Sequence, residues 1–384
     1  VRFNGVEILN LDLEFTTGGP VYNRPYNLPD YDTGPATPLP EYPADLGKTI
    51  LDLVSQPEVA SKDWVIRQYD HEVRGKTALK PIQGPIGKDV PGDSSVLKPV
   101  DDSWKGLALT TDVNPYLMEV NPYHGTMSAV EEVCRNLAAV GARIDSLADC
   151  LCFGNPRKPD IMGQFKASCE ALRDAAVAVD VPYVSGNVSL YNETAEGAIP
   201  PTPVLMGVGL VEDIRTCTTS DMKKDGSIWL IGKTKEEMGA SLYYRSIGKD
   251  CPNIPKTDFD SFIPRMEQLI QAIEQGEVVA CHDISTGGIA TAVIEMCMSG
   301  VGANIRLGED VRADVELFSE SNGRWIVQVA NGKDNDFARR FDYAIRIGEV
   351  GSKVSFSKNN EIIADFDVEK LRKKWTMPVW DRLA

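Results

Sequence analysis

Polar residues that can do chemistry are concentrated at 185–193, where the sequence reads SGNVSLYNE directly after an apolar segment. Gly186 lets a ligand approach the backbone closely and adopts positive φ without strain. Asn187 offers a neutral amide oxygen, a good ligand for a hard cation such as Mg²⁺, and Ser189 offers a hydroxyl group to a phosphate or substrate oxygen. The alternative is a capped turn in which the Asn and Ser side chains bond only to the local backbone.

A second run, ADCLCFGNP at 148–156, begins at the end of a predicted buried strand. Asp149 stands where α/β sheets commonly bind ligands, and its carboxylate can hold a nucleotide hydroxyl, an amine or a metal. A helix cap or a turn is the alternative for this residue. Cys150 and Cys152 face the same side of the strand, but with no second pair nearby packing is favoured over zinc binding.

Two further acids, Asp93 and Asp112, stand at the ends of predicted strands that a short hairpin connects. Two carboxylates in one compact site can jointly hold Mg²⁺. Either residue alone is weak evidence for a metal site. The pair is therefore a candidate for the same kind of hard-cation site as Asn187.

The chain has three histidines, His71, His124 and His282. His71 is flanked by acids that favour its protonated form, and His124 precedes a predicted helix. His282 opens the run HDISTGG, which joins a strand to a helix N-terminus that can receive an anion. The alternative is that Ser285 or Thr286 simply caps this helix. Neither a Ser/His/Asp nor a Cys/His triad is evident from residue order or spacing.

The elements that must position these residues alternate between strands and amphipathic helices, which predicts an α/β fold. A polar, turn-rich stretch at 216–225 predicts a boundary between domains at 61–215 and 216–384, preceded by a segment at 1–60. Predicted strands lie at 95–98, 106–111, 142–151, 181–185, 204–211, 227–232 and 278–281, and predicted helices at 46–54, 64–69, 126–140, 161–179, 263–275 and 288–298.

The first 60 residues differ in character from the rest of the chain. Residues 1–15 alternate like a strand or hairpin. Residues 20–43 contain seven prolines, which predicts an extended segment that is packed by its tyrosine rings. The opening at Val1, without an initiator Met, suggests a fragment, with an ordinary mature N-terminus as the alternative.

Composition excludes several classes of protein. The chain has 384 residues, of which 42% are hydrophobic and 25% charged, as in folded globular proteins. A net charge of −16 argues against sequence-independent binding to nucleic acid. Eight Cys without a Cys-x-x-Cys pair or a signal peptide indicate a reducing cytoplasm. The apolar runs are shorter than the roughly 20 residues of a membrane helix.

Taken together, the motifs resemble those of the synthetase (large) subunit of phosphoribosylformylglycinamidine synthase. The resemblance covers nearly the whole chain, and the order and combined extent of its segments make it specific. Its segments are GPVYNRP at 19–25, the stretch 69–75, TDVNP at 111–115, 148–156, 185–194, 282–288 and LFSES at 317–321.

The resemblance implies a fold of the aminoimidazole ribonucleotide synthetase type: an N-terminal α/β domain that contributes strands to a shared barrel, followed by a second α/β domain. The large subunit resembles a fused dimer of such units, and this chain matches the second, C-terminal unit. The resemblance places nucleotide contacts at Asp149 and Gly186, a Mg²⁺ ligand at Asn187 and a substrate contact at Ser189. Cys152 departs from the family pattern, in which Asn is expected.

The implied activity is an ATP- and ammonia-dependent ligase reaction that converts formylglycinamide ribonucleotide to its amidine. The implied cofactors are ATP and Mg²⁺. The implied partners are the N-terminal half of the same subunit, a glutaminase subunit and a small bridging subunit. No catalytic residue is assigned, because the catalytic histidine of the family lies in the other half, and the isolated chain is expected to be inactive. A stand-alone aminoimidazole ribonucleotide synthetase, a related small-molecule kinase and a non-catalytic nucleotide-binding scaffold are the alternatives.

Overall fold

A computed structural model describes residues 1–19, 21–32, 34–35, 37–341 and 343–383. Pro20, which belongs to the predicted extended segment and to the first family motif, lies outside the described residues. The N-terminal segment contains short elements separated by long connections. In chain order they are β1 (Arg2–Phe3), β2 (Val6–Glu7), α1 (Leu13–Thr17), α2 (Leu46–Val54) and α3 (Asp63–Ile66).

The N-terminal hairpin and α2 were predicted, whereas α1 was not. α2 has the predicted bounds because the Asp45 side chain accepts the Lys48 N–H at 2.8 Å. The described residues between Val21 and Pro43 form neither helix nor strand, as their proline content predicts. Tyr31 packs this stretch against the helix at Pro122–Ala139, because its ring stacks on the ring of Tyr123 in that helix (centroids 4.6 Å apart).

The first α/β unit is built on a six-stranded sheet with the order β3-β6-β7-β12-β8-β9. Neighbouring strands are antiparallel except β8 and β9, which are parallel and are connected by α6. Its elements are β3 (Thr77–Leu79), β4 (Ile82–Gln83), β5 (Val90–Pro91), β6 (Ser95–Leu97), β7 (Gly106–Asp112), α4 (Pro115–Val120), α5 (Pro122–Ala139), β8 (Arg143–Cys152), α6 (Pro159–Val179), β9 (Tyr183–Ser189), β10 (Glu193–Thr194), β11 (Gly197–Ala198) and β12 (Thr202–Val211).

The second unit is built on a seven-stranded sheet with the order β14-β16-β13-β17-β15-β18-β19. Only β15 and β18 are parallel neighbours in it. Its elements are β13 (Ser227–Ile231), α7 (Leu242–Ser246), α8 (Phe259–Glu274), β14 (Val278–Asp283), α9 (Gly288–Cys297), β15 (Gly302–Arg306), α10 (Ala313–Phe318), β16 (Trp325–Val329), α11 (Asp334–Arg340), β17 (Ile345–Gly351), β18 (Val354–Lys358), β19 (Glu361–Phe366) and α12 (Val368–Leu383).

One of the two apolar cores joins the two units. It contains Val133 and Leu137 of α5 together with Phe262 of α8 and Trp325 of β16. The Phe262 and Trp325 rings stack with centroids 5.6 Å apart. The other core fills the space between α2, α9, α12 and the seven-stranded sheet. The predicted α/β architecture is confirmed.

The helices of the first unit cover only one face of its sheet. Residues of β7 and β12 alternate between buried and partly exposed positions, which leaves the second face of the sheet open. β3 and β9 are the edges of this sheet, so within the described residues its strands do not close into a barrel. No helix in the described part of the chain is both long and apolar enough to cross a bilayer.

Candidate functional site

Three of the residues singled out in the sequence lie in one row across the six-stranded sheet. Asp112 at the end of β7 pairs with Leu205 of β12, Leu205 pairs with Asp149 of β8, and Asp149 pairs with Gly186 of β9. Neighbouring strands are about 4.8 Å apart, so Asp112 lies roughly 10 Å from Asp149 and roughly 14 Å from Gly186. The row places two carboxylates and a glycine on the helix-covered face.

Asp149 and Gly186 are in direct proximity. A Cβ atom on Gly186 would lie 2.7 Å from Asp149 Oδ2, so the space that the carboxylate occupies exists because residue 186 is glycine. Burial raises the pKa of Asp149 above its usual range. The half-buried carboxylate therefore lies directly beside the backbone of Gly186.

The predicted loop at 186–189 is part of a strand in the structure. β9 extends to Ser189 because it pairs with β8 from Asp149 through Cys152. Successive residues of a strand point to opposite faces, so Asn187 and Ser189 lie on the open face, opposite the side chain of Asp149. Asn187 is exposed to solvent.

Ser189 already has a local partner. Its Oγ lies 3.2 Å from Asn192 Oδ1, and the Asn192 amide donates to the Phe153 carbonyl at 3.0 Å. This is the local bonding that the alternative interpretation of the motif anticipates. The hydroxyl lies at the end of β9, next to Cys152 of β8.

The pairing of β6 with β7 brings the backbone at Asp93 near β7, which ends at Asp112. Thr110, two residues before Asp112, donates its hydroxyl to the Asp93 carbonyl at 2.9 Å. Among the described residues, the Oδ2 atoms of both acids are buried without a hydrogen-bond donor. Buried carboxylate oxygens without donors fit a hard cation, which prefers oxygen ligands.

The Asp93 carboxylate has an unexpected partner. Its Oδ1 lies 2.6 Å from His282 Nδ1, while His282 Nε2 lies 3.2 Å from Glu295 Oε2. Burial lowers the pKa of His282, but the two carboxylates outweigh burial and hold that pKa well above the usual range. Both ring nitrogens then donate hydrogen bonds, which requires the imidazolium form.

A buried arginine organises the surrounding acids. Arg135 of α5 is 1% exposed and its guanidinium lies 3.1 Å from Asp283 and 3.2 Å from Glu132, with Glu131 also in contact. Burial raises the pKa of Asp112 to about 7, against the opposing effect of Arg135. The site is thus acid-rich around one permanent positive charge.

The metal ligands predicted from the sequence do not form a single coordination shell. Asn187 lies on the opposite sheet face, three strand spacings or roughly 14 Å from Asp112. Asp93, His282 and Asp283 do come together, with one polar atom of each within 4.8 Å of the others, but the imidazolium form of His282 has no lone pair to offer a metal. The run HDISTGG contains both His282 and Asp283, but their proximity to Asp93 was not predicted.

Neither of the two predicted interactions describes the N-terminus of the helix after HDISTGG, because a side chain from elsewhere in the chain accepts the hydrogen bond there. α9 begins at Gly288, and the N–H of its cap residue Gly287 donates to the Glu320 carboxylate at 2.7 Å. Glu320 also accepts the Leu242 N–H at 2.9 Å. Neither Ser285 nor Thr286 caps the helix. The protein itself therefore supplies the carboxyl group at this N-terminus.

A cleft of about 550 Å³ lies beside Asp112. Its lining includes Thr111, Glu295 and Lys62, so it runs between the N-terminal segment and both α/β units. Burial lowers the pKa of Lys62, whose ammonium donates to the Ala60 carbonyl at 2.5 Å. Volumes of this size are typical of small-molecule sites.

Comparison with known proteins places this fold in a family. The family description AIR synthase related protein, N-terminal domain, matches residues 91–211, and the corresponding C-terminal domain matches residues 221–357. The chain belongs to the AIR synthase related family. Together the two domains account for more than half of the chain, and they contain Asp93, Asp112, Asp149, Gly186, Asn187, Ser189 and His282.

Similar proteins narrow the comparison within this family. The phosphoribosylformylglycinamidine synthase subunit PurL of Methanothrix thermoacetophila is 36% identical over 98% of this chain and 50% of its own length. That of Thermococcus sibiricus is 37% identical over 97% and 51%. The chain thus spans about half the length of these curated relatives.

Among solved structures, a PurL of Thermotoga maritima complexed with FGAR superposes with a TM-score of 0.68. The match covers 86% of this chain and 54% of that chain, at 17% identity. At this identity the likeness supports the fold and not the function.

Proposed function

We propose that this chain is the C-terminal half of the synthetase subunit of phosphoribosylformylglycinamidine synthase. The reaction is the ATP- and ammonia-dependent conversion of the formylglycinamide ribonucleotide amide to an amidine. The observation that carries the proposal is the row of Asp112, Asp149 and Gly186 across one sheet, in a chain that aligns end to end with half of PurL.

Asp149 and Gly186 are the proposed nucleotide contacts. The half-buried Asp149 carboxylate can accept hydrogen bonds from the hydroxyl or amino groups of a nucleotide. Gly186 has no side chain, which leaves the space that the Asp149 carboxylate occupies beside the strand. The two residues together define a position for a nucleotide rather than for the reacting amide.

Asp93 and Asp112 are the proposed ligands of one Mg²⁺, and Asn187 is the proposed ligand of another on the opposite face. The buried Oδ2 atoms of the two acids support the first position. When bound, Mg²⁺ neutralises phosphate charge during phosphoryl transfer. Ser189, at the end of β9, is the proposed substrate contact.

In this reaction the chain binds and orients the reactants. Phosphorylation of the amide oxygen creates a leaving group that ammonia displaces, and both steps depend on positioned charges. Arg135 maintains the arrangement of Asp283 and the neighbouring acids, and none of these residues is assigned a covalent role. The catalytic groups are expected in the N-terminal half.

The open face of the six-stranded sheet is the proposed surface that binds the N-terminal half. At one end of this face the in-register pairs Leu107–Leu210 and Leu109–Val208 form an apolar area, with Leu210 44% exposed. At the other end lie Asn187 and Ser189. Burying the apolar end against a second unit leaves the polar end available for ligands.

Three further parts of the proposal rest on the resemblance and on composition. A glutaminase subunit and a small bridging subunit supply and deliver ammonia. The domain boundary falls at 215–216, and the protein acts in the cytoplasm, in keeping with its eight free cysteines.

The test is ADP release from ATP in the presence of formylglycinamide ribonucleotide and ammonium, with this chain alone and with the N-terminal half added. We expect ADP release only when the N-terminal half is present. Turnover by the isolated chain contradicts the half-enzyme assignment. Tight nucleotide binding without turnover in the mixture favours the scaffold alternative.

A further inference from the structure

Two cysteines lie side by side on the open sheet face. The Sγ atoms of Cys150 and Cys152 are 3.7 Å apart, because residues two apart in a strand point to the same face. Both are partly exposed. Neither is part of the two apolar cores, so the packing role favoured from the sequence does not describe them. The other six cysteines make no sulfur–sulfur contact within the described residues.

A covalent link between these thiols requires a local contraction of β8. The Cα atoms of residues two apart in a strand are about 6.6 Å apart, and disulfides span Cα separations of up to about 6.8 Å. The parallel side chains keep the two Cβ atoms about as far apart as the Cα atoms, beyond the range of about 3.5–4.5 Å in a disulfide. A bridge therefore forms when the backbone of β8 contracts at these residues, and it is easily reduced because it is strained. The pair is therefore suited to reversible chemistry.

We propose that Cys150 and Cys152 form a redox-active dithiol that reacts with low-molecular-weight disulfides and closes to an intrastrand disulfide. One cysteine sulfur attacks a sulfur of the oxidant RSSR, so that a mixed disulfide forms and the first RSH leaves. The second cysteine sulfur then attacks the first, the mixed disulfide breaks, and the second RSH leaves. Two electrons and the two thiol protons pass from the dithiol to the oxidant.

The two cysteines lie beside two of the proposed ligand-binding residues. Cys150 pairs with Asn187 and Cys152 pairs with Ser189 in the β8–β9 register. Closing the disulfide contracts β8 at these two residues and displaces β9 beside them. The inference that oxidation weakens nucleotide binding rests on the proposed function, whereas the dithiol itself does not.

The first measurement uses the full chain and oxidised glutathione, followed by alkylation and peptide mapping. Cleavage after Arg143 and Arg157 yields residues 144–157, which contain both cysteines and no others. The expected product is this peptide lighter by about 2 Da, without a glutathione adduct, because two hydrogens leave. Recovery of both thiols in alkylated form overturns the proposal.

Cys152→Ser separates closure from simple reactivity. In this variant the mixed disulfide at Cys150 has no second thiol to resolve it, so the glutathione adduct accumulates. Cys169→Ser, which removes a partly exposed cysteine from α6, should close like the unsubstituted chain. Adduct accumulation in the unsubstituted chain contradicts the proposal.

Phenylarsine oxide gives a second test that needs no substitution. It bridges two adjacent thiols with release of one water, so one equivalent should protect both cysteines of peptide 144–157 from alkylation in the native chain. Alkylation of both despite the reagent overturns the dithiol.

The link to ligand binding is measured by titrating Mg²⁺–ATP into the reduced, oxidised and re-reduced chain. The expected affinity loss on oxidation is about tenfold, as for disturbed residues next to metal ligands, and reduction should restore it. Equal affinities overturn the link. Absence of binding to the reduced chain counts against the proposed function alone, because the mapping result is obtained without nucleotide.

Discussion

At the scale of single residues, the Asp149 carboxylate occupies the space that a side chain at residue 186 would need. A strand residue without a side chain leaves the carboxylate in place, and any larger residue must displace it. The pairing also gives Asp149 a neighbour that adds neither charge nor hydrogen-bonding side chain. The position of the Asp149 carboxylate thus depends on the absence of a Cβ atom at residue 186.

Gly186→Ala should therefore weaken nucleotide binding while the fold persists. The new Cβ would lie within 2.9 Å of three Asp149 carboxyl atoms, and the side chain must rotate away. We expect a loss of about 1 kcal/mol in the free energy of unfolding and about a tenfold loss in Mg²⁺–ATP affinity. Thermal denaturation and calorimetric titration measure the two effects.

Gly19→Ala is the matched control, because a Cβ at Gly19 meets no atom within 4 Å. It should leave both quantities unchanged. If Gly186→Ala binds nucleotide as well as this control does, Asp149 is not part of the nucleotide site.

At the scale of elements, Glu320 connects two helix starts. Its carboxylate accepts N–H groups from Leu242 at the start of α7 and from Gly287 before α9. Burial raises the pKa of Glu320 to about 7, although both hydrogen bonds oppose the shift. The native state therefore holds this proton more tightly than the unfolded state does.

The stabilising effect of that proton is fully present below the unfolded-state pKa of about 4.3 and is lost as the pH rises through about 7. Glu320→Gln removes this pH dependence. Relative to the unsubstituted chain, the variant should gain up to about 3 kcal/mol in unfolding free energy between pH 4.5 and 8, since one pKa unit is worth about 1.4 kcal/mol. Urea denaturation at several pH values measures it.

A constant difference between the two proteins at all pH values would show that Glu320 does not titrate in this range. The exposed Glu361→Gln serves as the control, because its side chain lies at the surface of β19.

Elements were predictable where their signals are local. α2 follows from Asp45 and an amphipathic pattern, and α6 from its long apolar stripe. The end of β9 was misjudged because Gly186 and Asn187 have low strand propensity, and the pairing with β8 overrides that preference. Pairing between distant strands is not written in the local sequence.

The same reason explains what was missed in the site. Asp93 and His282 are 189 positions apart, so their contact depends on how the two units pack. The pairing of β6 with β7 was predictable because a short connection joins the two strands. The separation of Asn187 from these acids follows from the strand order, which the sequence motifs do not reveal.

At the scale of the whole molecule, Arg135 connects the two units. It lies on α5 of the first unit and reaches Asp283 on β14 of the second, while its carbonyl accepts the Trp325 indole N–H at 3.1 Å. A buried cation between several acids is costly to remove, because the acids keep their charge without compensation.

Arg135→Met should lower the free energy of unfolding by about 3–5 kcal/mol. Arg215→Met, which removes an exposed ion pair with Asp213, should cost at most about 1 kcal/mol. Chemical denaturation of both variants makes the comparison. Similar losses in the two would mean that Arg135 does not hold the units together.

The open sheet face determines whether the chain acts alone. If its apolar end is the surface for the N-terminal half, a charge placed there should oppose assembly because it must be buried. Leu210→Glu introduces that charge at the Leu107–Leu210 pair without disturbing the helix-covered core. We expect its affinity for the N-terminal half to fall at least about tenfold, measured by sedimentation of the mixture.

Val177→Glu is the control, because Val177 is 77% exposed on α6, on the other side of the sheet. It should assemble like the unsubstituted chain. Loss of assembly in Leu210→Glu, together with loss of ADP release in the mixture, would tie the apolar face to activity, because the polar end of the face, with Asn187 and Ser189, is unchanged in that variant. Unaltered assembly of Leu210→Glu would place the contact on another surface and leave the open face to a different partner.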